Sequence, residues 1–86
     1  MMWYIYFLKS IDFEFRYTGS TNDLKRRFVE HNNKVVQATK HYAPFLLEAY
    51  VAVQTEKQAR QLEKYFKTGS GIAVLNKRIL QLESPG

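Results

Sequence analysis

Residues 3–31, WYIYFLKSIDFEFRYTGSTNDLKRRFVEH, decide the fold, because they are typical of two aromatic strands followed by a basic helix. Residues 2–8 are almost continuously apolar, with Trp3, Ile5 and Phe7 alternating with Tyr4, Tyr6 and Leu8. This alternation of large side chains predicts a strand that is covered on both faces. Residues 9–12 are polar enough for a turn, and residues 13–19 then alternate as a partner strand. Antiparallel pairing across that turn would bring Tyr17 near Tyr6.

A basic helix is predicted over residues 22–32. Residues 20–23, STND, each offer a side-chain oxygen that can cap the first turn. At about 100° per residue, one side of this helix carries Leu24, Arg27, Phe28 and His31. The pattern therefore directs one arginine and one histidine toward the edge of the core and leaves the other basic side chains in water.

The next segments predict a loop, a strand and a helix. Residues 32–43 lack periodicity, and after Pro44 the apolar and β-branched residues 45–53 predict a third strand. A second helix is predicted over residues 56–67, where residues 55–58, TEKQ, match the spacing of a capping box. Its apolar stripe consists of Ala59, Leu62 and Phe66, and Glu63 lies on the same face.

The C-terminal part predicts a short third helix. Residues 68–71, TGSG, break the second helix, and apolar residues then recur at helical spacing as Ile72, Leu75, Ile79 and Leu82. Residues 83–86 read as a flexible tail. The chain is therefore predicted to be a single α/β domain over residues 1–82, with the order β-β-α-β-α-α.

The composition favours an anionic partner. The 86 residues include 13 Lys and Arg against 8 Asp and Glu, a net charge of +5 that suits nucleic acid. Without cysteine, neither a disulfide framework nor a thiolate metal site can form. The apolar stretch at residues 1–8 is too short to span a membrane and lacks a leading basic region, so a soluble cytoplasmic protein without a membrane partner is expected.

Three charged or titratable side chains, Arg27, His31 and Glu63, are predicted on inward helix faces. Burial of an unpaired charge is costly, so each needs a partner. One interpretation is an internal Arg27–Glu63 ion pair with His31 as a boundary residue. The other is a shallow pocket in which Arg27 binds a phosphate, Glu63 holds a hard cation such as Mg²⁺, and His31 orients a tyrosine or receives a proton.

The tyrosines of the two strands are candidate bases only under one condition. Tyrosine has an ordinary pKa near 10, so Tyr6 or Tyr17 would be a poor base unless nearby positive charge lowered that value. Arg16, Lys25 and Arg27 are possible sources of such charge. A DNA backbone would find further cationic or polar contacts at these residues: Arg16, Lys25, Arg26, Lys34, Lys40 and His41.

Together, these motifs resemble the GIY-YIG endonuclease family, and most of all its small single-domain YhbQ-like branch. Residues 4–6, YIY, stand at the GIY triplet and residues 17–19, YTG, at the YIG triplet; L-x-x-R-x-x-x-H follows over residues 24–31, and Glu63 stands at the family's helical glutamate. In two departures, Tyr4 replaces the glycine of GIY and Thr18 the isoleucine of YIG. Neither departure removes a catalytic side chain.

The resemblance implies a central three-stranded antiparallel sheet flanked by helices and metal-dependent hydrolysis of DNA phosphodiester bonds. By position, Tyr6 would act as general base or align the water, with support from Tyr17. Arg27 would stabilise the scissile phosphate, His31 would assist proton transfer, and Glu63 would hold Mg²⁺ or Mn²⁺. A role in DNA repair, recombination or processing follows, with a protein partner as a possible source of substrate specificity.

Two other functions remain open at this point. One is a catalytically idle module that keeps the fold and the basic surface and only binds nucleic acid. The other is a protein-interaction domain whose net positive charge has no role in its function. The inward carboxylate of Glu63 favours the nuclease, since a pure binder has no need of a group that repels phosphate.

Overall fold

The computed structural model describes residues 1–80. Its strands are β1 (Trp3–Ser10), β2 (Arg16–Thr21) and β3 (Phe45–Val53), and its helices are α1 (Leu24–Asn32), α2 (Glu56–Phe66) and α3 (Gly69–Val74). A 3-10 turn at Lys40–Tyr42 precedes β3, and a π-helical turn at Leu75–Ile79 follows α3. This confirms the predicted α/β order β-β-α-β-α-α. The predicted helical position of Leu82 and the predicted tail at 83–86 lie outside the described residues.

The three strands form one antiparallel sheet in the order β2-β1-β3, which places β1 in the centre. Both faces of β1 are covered, as its sequence predicts. On one face Ile5 and Phe7 pack against α2 and the π-helical turn, and on the other Tyr6 and Leu8 pack against α1 and the N-terminal end of β3. Since β2 is an edge strand, side chains from the helices on the two faces can meet around it.

The hairpin between β1 and β2 differs from the prediction. A turn at residues 9–12 is wrong, because β1 continues to Ser10 and β2 runs from Arg16 to Thr21. Ser10 is buried and bonded on three sides: its N–H donates to the Phe15 carbonyl (2.9 Å), its hydroxyl donates to the Tyr42 carbonyl (2.6 Å), and its Oγ accepts from the Phe13 N–H (3.1 Å). These bonds hold Ser10 in the sheet and move the connection to residues 11–15.

The helix starts follow their capping residues. Asp23 caps α1 by accepting from the Arg26 N–H at 3.1 Å, so this helix begins at Leu24 and not at residue 22. The predicted capping box of α2 is present between Thr55 and Gln58. No helix within residues 1–80 is long and apolar enough to cross a membrane.

The third helix begins earlier than its apolar spacing predicts. Thr68 caps it by accepting from the Gly71 N–H at 3.1 Å, so α3 starts at Gly69 within the segment predicted as a break. Gly71 lies directly against the Tyr65 carbonyl, where the Cβ of any other residue would collide with the backbone. This close approach lets α3 follow α2 almost without a connecting loop.

The segment between α1 and β3 is largely irregular, as predicted, but it is tied to the core. The Asn32 side chain accepts from the Phe45 N–H at 2.7 Å and fixes the far end of the loop. Thr39 is 0% exposed, and its carbonyl accepts from the Tyr42 N–H at 2.9 Å. This loop therefore delivers a buried polar side chain to the face of the sheet that carries Tyr6.

Candidate active site

Side chains from both helix layers meet around the edge strand β2. Arg27 and His31 come from α1 on one face of the sheet, and Glu63 comes from α2 on the other. The strand residues between them are Gly19 and Ser20, which pair with Tyr6 and Ile5 of the central strand. The sequence motifs, although far apart in the chain, are thus brought to one edge of the sheet.

A buried polar chain links Tyr6, His31 and Thr39. The Tyr6 hydroxyl lies 2.8 Å from His31 Nε2, and His31 Nδ1 lies 2.7 Å from Thr39 Oγ1. Tyr6 is 2% exposed, and the other two residues are 0% exposed. Both ring nitrogens of His31 therefore have partners, so the orientation of the imidazole is fixed from two sides.

Gly19 makes room for the Tyr6 ring. A Cβ at this position would lie 2.5 Å from the Tyr6 hydroxyl oxygen and 2.6 Å from Cζ. It would also lie 3.0 Å from Cε2 of Tyr17. The two tyrosine rings are 6.3 Å apart between centroids, which confirms the predicted proximity of Tyr17 to Tyr6.

The free protein keeps Tyr6 protonated. Burial raises the pKa of Tyr6 to about 12, and the neighbouring Arg27 guanidinium opposes this shift without overcoming it. The condition under which Tyr6 would be a good base, a pKa lowered by nearby positive charge, is therefore not met in the free protein. Tyr6 therefore enters any reaction as a phenol that has a proton to pass on.

His31 is neutral at physiological pH. Burial lowers its pKa to about 4, and the positive charge of Arg27 acts in the same direction. A neutral imidazole carries one proton and one open lone pair, so it can accept a proton from one partner while donating to the other. The 2.8 Å hydrogen bond thus gives the phenolic proton a path to the imidazole, while burial of both groups keeps the pair uncharged in the free protein.

Arg27 and Glu63 have separate partners. Arg27 Nη1 donates to Glu30 Oε1 at 3.0 Å, and its side chain is 38% exposed. Glu63 instead accepts from the Ser20 hydroxyl at 2.6 Å and from Lys67 Nζ at 2.8 Å. The interpretation as an internal Arg27–Glu63 ion pair is therefore wrong, and both groups reach solvent at the site.

Glu63 is the candidate metal ligand. Although burial opposes ionisation, the hydrogen bonds from Lys67 and Ser20 keep its pKa below the ordinary value, so the carboxylate is charged at neutral pH. Residues 1–80 hold no group of three or more His, Cys, Asp or Glu that could bind an ion on their own. A single ionised carboxylate fits a hard cation such as Mg²⁺, which keeps several waters and shares substrate oxygens.

A polar groove of about 260 Å³ lies beside these residues. Its cationic side chains are Arg26 and Arg27 of α1 and Arg60 of α2, and Ser20 and Thr21 line it from β2. One carboxylate, that of Glu30, also lines the groove and pairs with Arg27 at 3.0 Å. The groove thus crosses the edge of the sheet between the two helices. An anionic backbone laid along it would meet guanidinium groups from both sides.

Comparison with protein-family models gives a match over most of the chain. The family model described as the GIY-YIG catalytic domain matches residues 2–73 of the 86-residue chain. The chain belongs to the GIY-YIG family. Membership in this family points to nuclease activity on DNA, as the resemblance implies. Neither the curated proteins nor the solved structures contain a significant match to this GIY-YIG chain.

The other basic residues predicted to contact DNA lie at several places on the GIY-YIG domain. Arg16 forms an ion pair with Glu48 across the sheet at 2.8 Å. Lys25 lines a different pocket from Arg26, on the other side of α1. The remaining three lie in the segment after α1: Lys34 and His41 are exposed, and Lys40 is half-buried. Their contact with DNA stays a prediction.

Four residues of the GIY-YIG site were not singled out from the sequence. Ser20 and Lys67 had usable signals: alternation places Ser20 on the α2 side of β2, and Lys67 follows Glu63 by one helical turn. Arg60 could be placed only once the position of α2 relative to β2 was known. Thr39 lies in an aperiodic loop and carries no signal in its neighbours.

Proposed function

We propose that this GIY-YIG domain is a divalent-metal-dependent endonuclease that hydrolyses DNA phosphodiester bonds in repair, recombination or processing. The observation that carries the proposal is the buried Tyr6–His31 hydrogen bond of 2.8 Å beside an arginine-lined groove. A module that only bound DNA would have no use for a proton-transfer pair next to its phosphate contacts.

Arg27 binds the scissile phosphate in this proposal. Its guanidinium is half-buried and close enough to Tyr6 to influence the pKa of the phenol. Paired N–H donors match phosphate oxygens, and their charge opposes the negative charge that develops as the new P–O bond forms. Arg26 and Arg60 hold the neighbouring backbone in the groove.

Tyr6 and His31 move the proton. As the attacking water forms a bond to phosphorus, its proton passes to the Tyr6 oxygen while the Tyr6 proton passes to His31 Nε2. The P–O bond to the leaving group breaks, and the leaving oxygen takes a proton from solvent. His31 Nδ1–H donates to Thr39 Oγ1 throughout, and Tyr17 supports the Tyr6 ring at a centroid distance of 6.3 Å.

Glu63 would hold the divalent cation, Mg²⁺ or Mn²⁺. When bound there, such a cation supplies charge neutralisation at the phosphate oxygens. Ser20 and Lys67 orient the carboxylate through bonds of 2.6 and 2.8 Å. These two contacts also keep the carboxylate ionised before substrate arrives.

The test is cleavage of plasmid, branched and single-stranded DNA with Mg²⁺, with Mn²⁺ and in EDTA. We expect metal-dependent nicking by the wild type and a decrease of about 100- to 1,000-fold in rate for Arg27→Gln and for Glu63→Gln. Glu14→Gln is the matched control, because Glu14 is exposed in the hairpin connection. Wild-type protein that binds all of these DNAs and cleaves none would overturn the proposal in favour of an idle binding module.

A further inference from the structure

A second concavity, of about 530 Å³, lies on the same face of the sheet as Tyr6 but on the other side of α1. It is lined by the rings of Tyr4 and Tyr50 and by the apolar side chains Leu24, Phe28 and Leu47. Its volume falls within the range of roughly 300 to 1,000 Å³ that is usual for ligand pockets. This aromatic pocket plays no part in the proton transfer proposed above.

We propose that the aromatic pocket binds the base of an unpaired DNA nucleotide. The inference rests on the proposed function in taking DNA as the ligand, and it adds the substrate class. A nuclease with such a pocket prefers DNA in which a nucleotide near the scissile bond is unpaired, as in a flap, a gap or a bulge.

The aromatic lining suits a base. Tyr4 and Tyr50 contact each other edge to face, with ring centroids 5.8 Å apart and an angle of 73° between the planes. Tyr50 is 53% exposed, so a large part of its ring is open to a ligand. Aromatic side chains in a basic setting are the usual platform for unpaired bases, because every base presents a π face.

The polar rim suits the rest of the nucleotide. Lys25 and Asp23 both line the pocket. Lys25 is exposed, so its ammonium can contact the adjoining phosphate, while the Asp23 carboxylate is engaged in capping α1 through the Arg26 N–H. Asn22, also exposed, supplies an amide that can both donate to and accept from a base edge. A purely apolar protein segment would leave both of these rim groups without a matching partner.

The aromatic pocket adjoins the arginine-lined groove at the N-terminal end of α1. Asn22 lines both, and Lys25 and Arg27 project from nearly opposite sides of α1 because they are two residues apart. A strand whose phosphate lies on Arg27 can therefore pass the N-terminal end of α1 and place a neighbouring base against the exposed ring of Tyr50. Tyr4 stands where the family signature has glycine, so one of the two rings is a departure of this chain.

The experiment compares Tyr50→Leu with the control Tyr65→Leu, a tyrosine of α2 that is 40% exposed. Binding is measured in EDTA by fluorescence anisotropy, with labelled oligothymidylate and with a blunt duplex at equal salt. We expect Tyr50→Leu to weaken single-strand binding about 5- to 150-fold while duplex binding stays unchanged. Tyr50→Phe and Tyr65→Leu should bind both DNAs as the wild type does.

A spectroscopic readout accompanies the affinities. A 2-aminopurine base in the single strand should lose fluorescence on binding to wild type and to Tyr50→Phe, and keep it with Tyr50→Leu. Equal single-strand binding by Tyr50→Leu and wild type would overturn the proposal, as would a homodimer that Tyr50→Leu dissociates. Because binding is measured without metal, absence of cleavage would count against the nuclease proposal and leave this result intact.

Discussion

The two faces of β1 are equally buried but held in different ways. Ile5 and Phe7 pack among apolar side chains of α2 and of the π-helical turn, and the rings of Phe7 and Phe66 meet edge to face at 5.3 Å. On the opposite face, the ring of Tyr6 instead ends in a hydrogen bond to a fully buried His31. One face is therefore stabilised by packing alone, and the other depends on polar groups that satisfy each other.

This difference separates stability from chemistry. The apolar cluster around Ile5 and Phe7 contributes burial without any group that can exchange protons, since Glu63 of α2 is not part of it. The polar face adds less to stability, because each buried donor or acceptor must have a hydrogen-bond partner. It contains, however, every titratable group of the proposed proton transfer. Substitutions on the two faces should therefore be distinguishable by which property they change first.

The largest expected effect is on the apolar face. Phe7→Ala removes a ring that is 2% exposed and should lower the free energy of unfolding by about 3 to 5 kcal/mol. Urea denaturation measures this loss. Phe13→Ala is the matched control, since Phe13 is 50% exposed, and it should cost far less. Equal losses for the two variants would contradict the assignment of the core.

The next effect is a pH dependence that arises from His31. Its pKa is about 4 in the folded protein and 6.5 ordinarily, so the unfolded chain binds the proton more readily. The resulting stabilisation is complete above about pH 6.5 and is lost as the pH falls toward 4, by about 3 kcal/mol in total. NMR titration of the imidazole and urea unfolding at several pH values measure it.

His31→Gln should flatten this pH dependence between pH 4 and 6.5, whereas His41→Gln, at an exposed position, should leave it as in the wild type. An imidazole of His31 that titrates near its ordinary pKa would contradict the neutral, buried state on which the proton transfer depends.

The smallest expected effect concerns Thr39, the end of the polar chain. Thr39→Val keeps the shape of the side chain but removes the oxygen 2.7 Å from His31 Nδ1. The imidazole thereby loses one of the two hydrogen bonds that fix its orientation. We expect a decrease of about tenfold in the DNA cleavage rate, within the range known for outer partners of a functional histidine. Thr39→Ser should restore the rate, and a failure of this rescue would indicate a packing role alone.

Much of the fold could be predicted because its signals are local. The alternation in residues 2–8 correctly indicates two buried faces, and Asp23 and Thr55 cap helices as their residue types favour. The hairpin was misplaced because Ser10 is held in the sheet by Tyr42, a residue far along the chain. Sequence patterns do not contain such a contact.

The candidate site likewise has features that local sequence predicts and features that only the packed structure reveals. The motifs around Tyr6, Tyr17 and Arg27 lie close together in the chain, and their proximity follows from strand pairing and helix periodicity. Thr39 reaches His31 only through an irregular loop, and the pKa of Tyr6 depends on how completely the fold buries it. Neither could be obtained without the packed structure.

The Tyr6 ring over Gly19 has a consequence for how such sequences vary. A Cβ at residue 19 would come within 2.5 Å of the phenolic oxygen, and the ring cannot move aside without giving up His31. The tyrosine of the first triplet and the glycine of the second should therefore vary together, although only the pairing of β1 with β2 brings them into contact. A lineage that gains a side chain at the glycine loses the reason to keep the hydroxyl, so the two should disappear together.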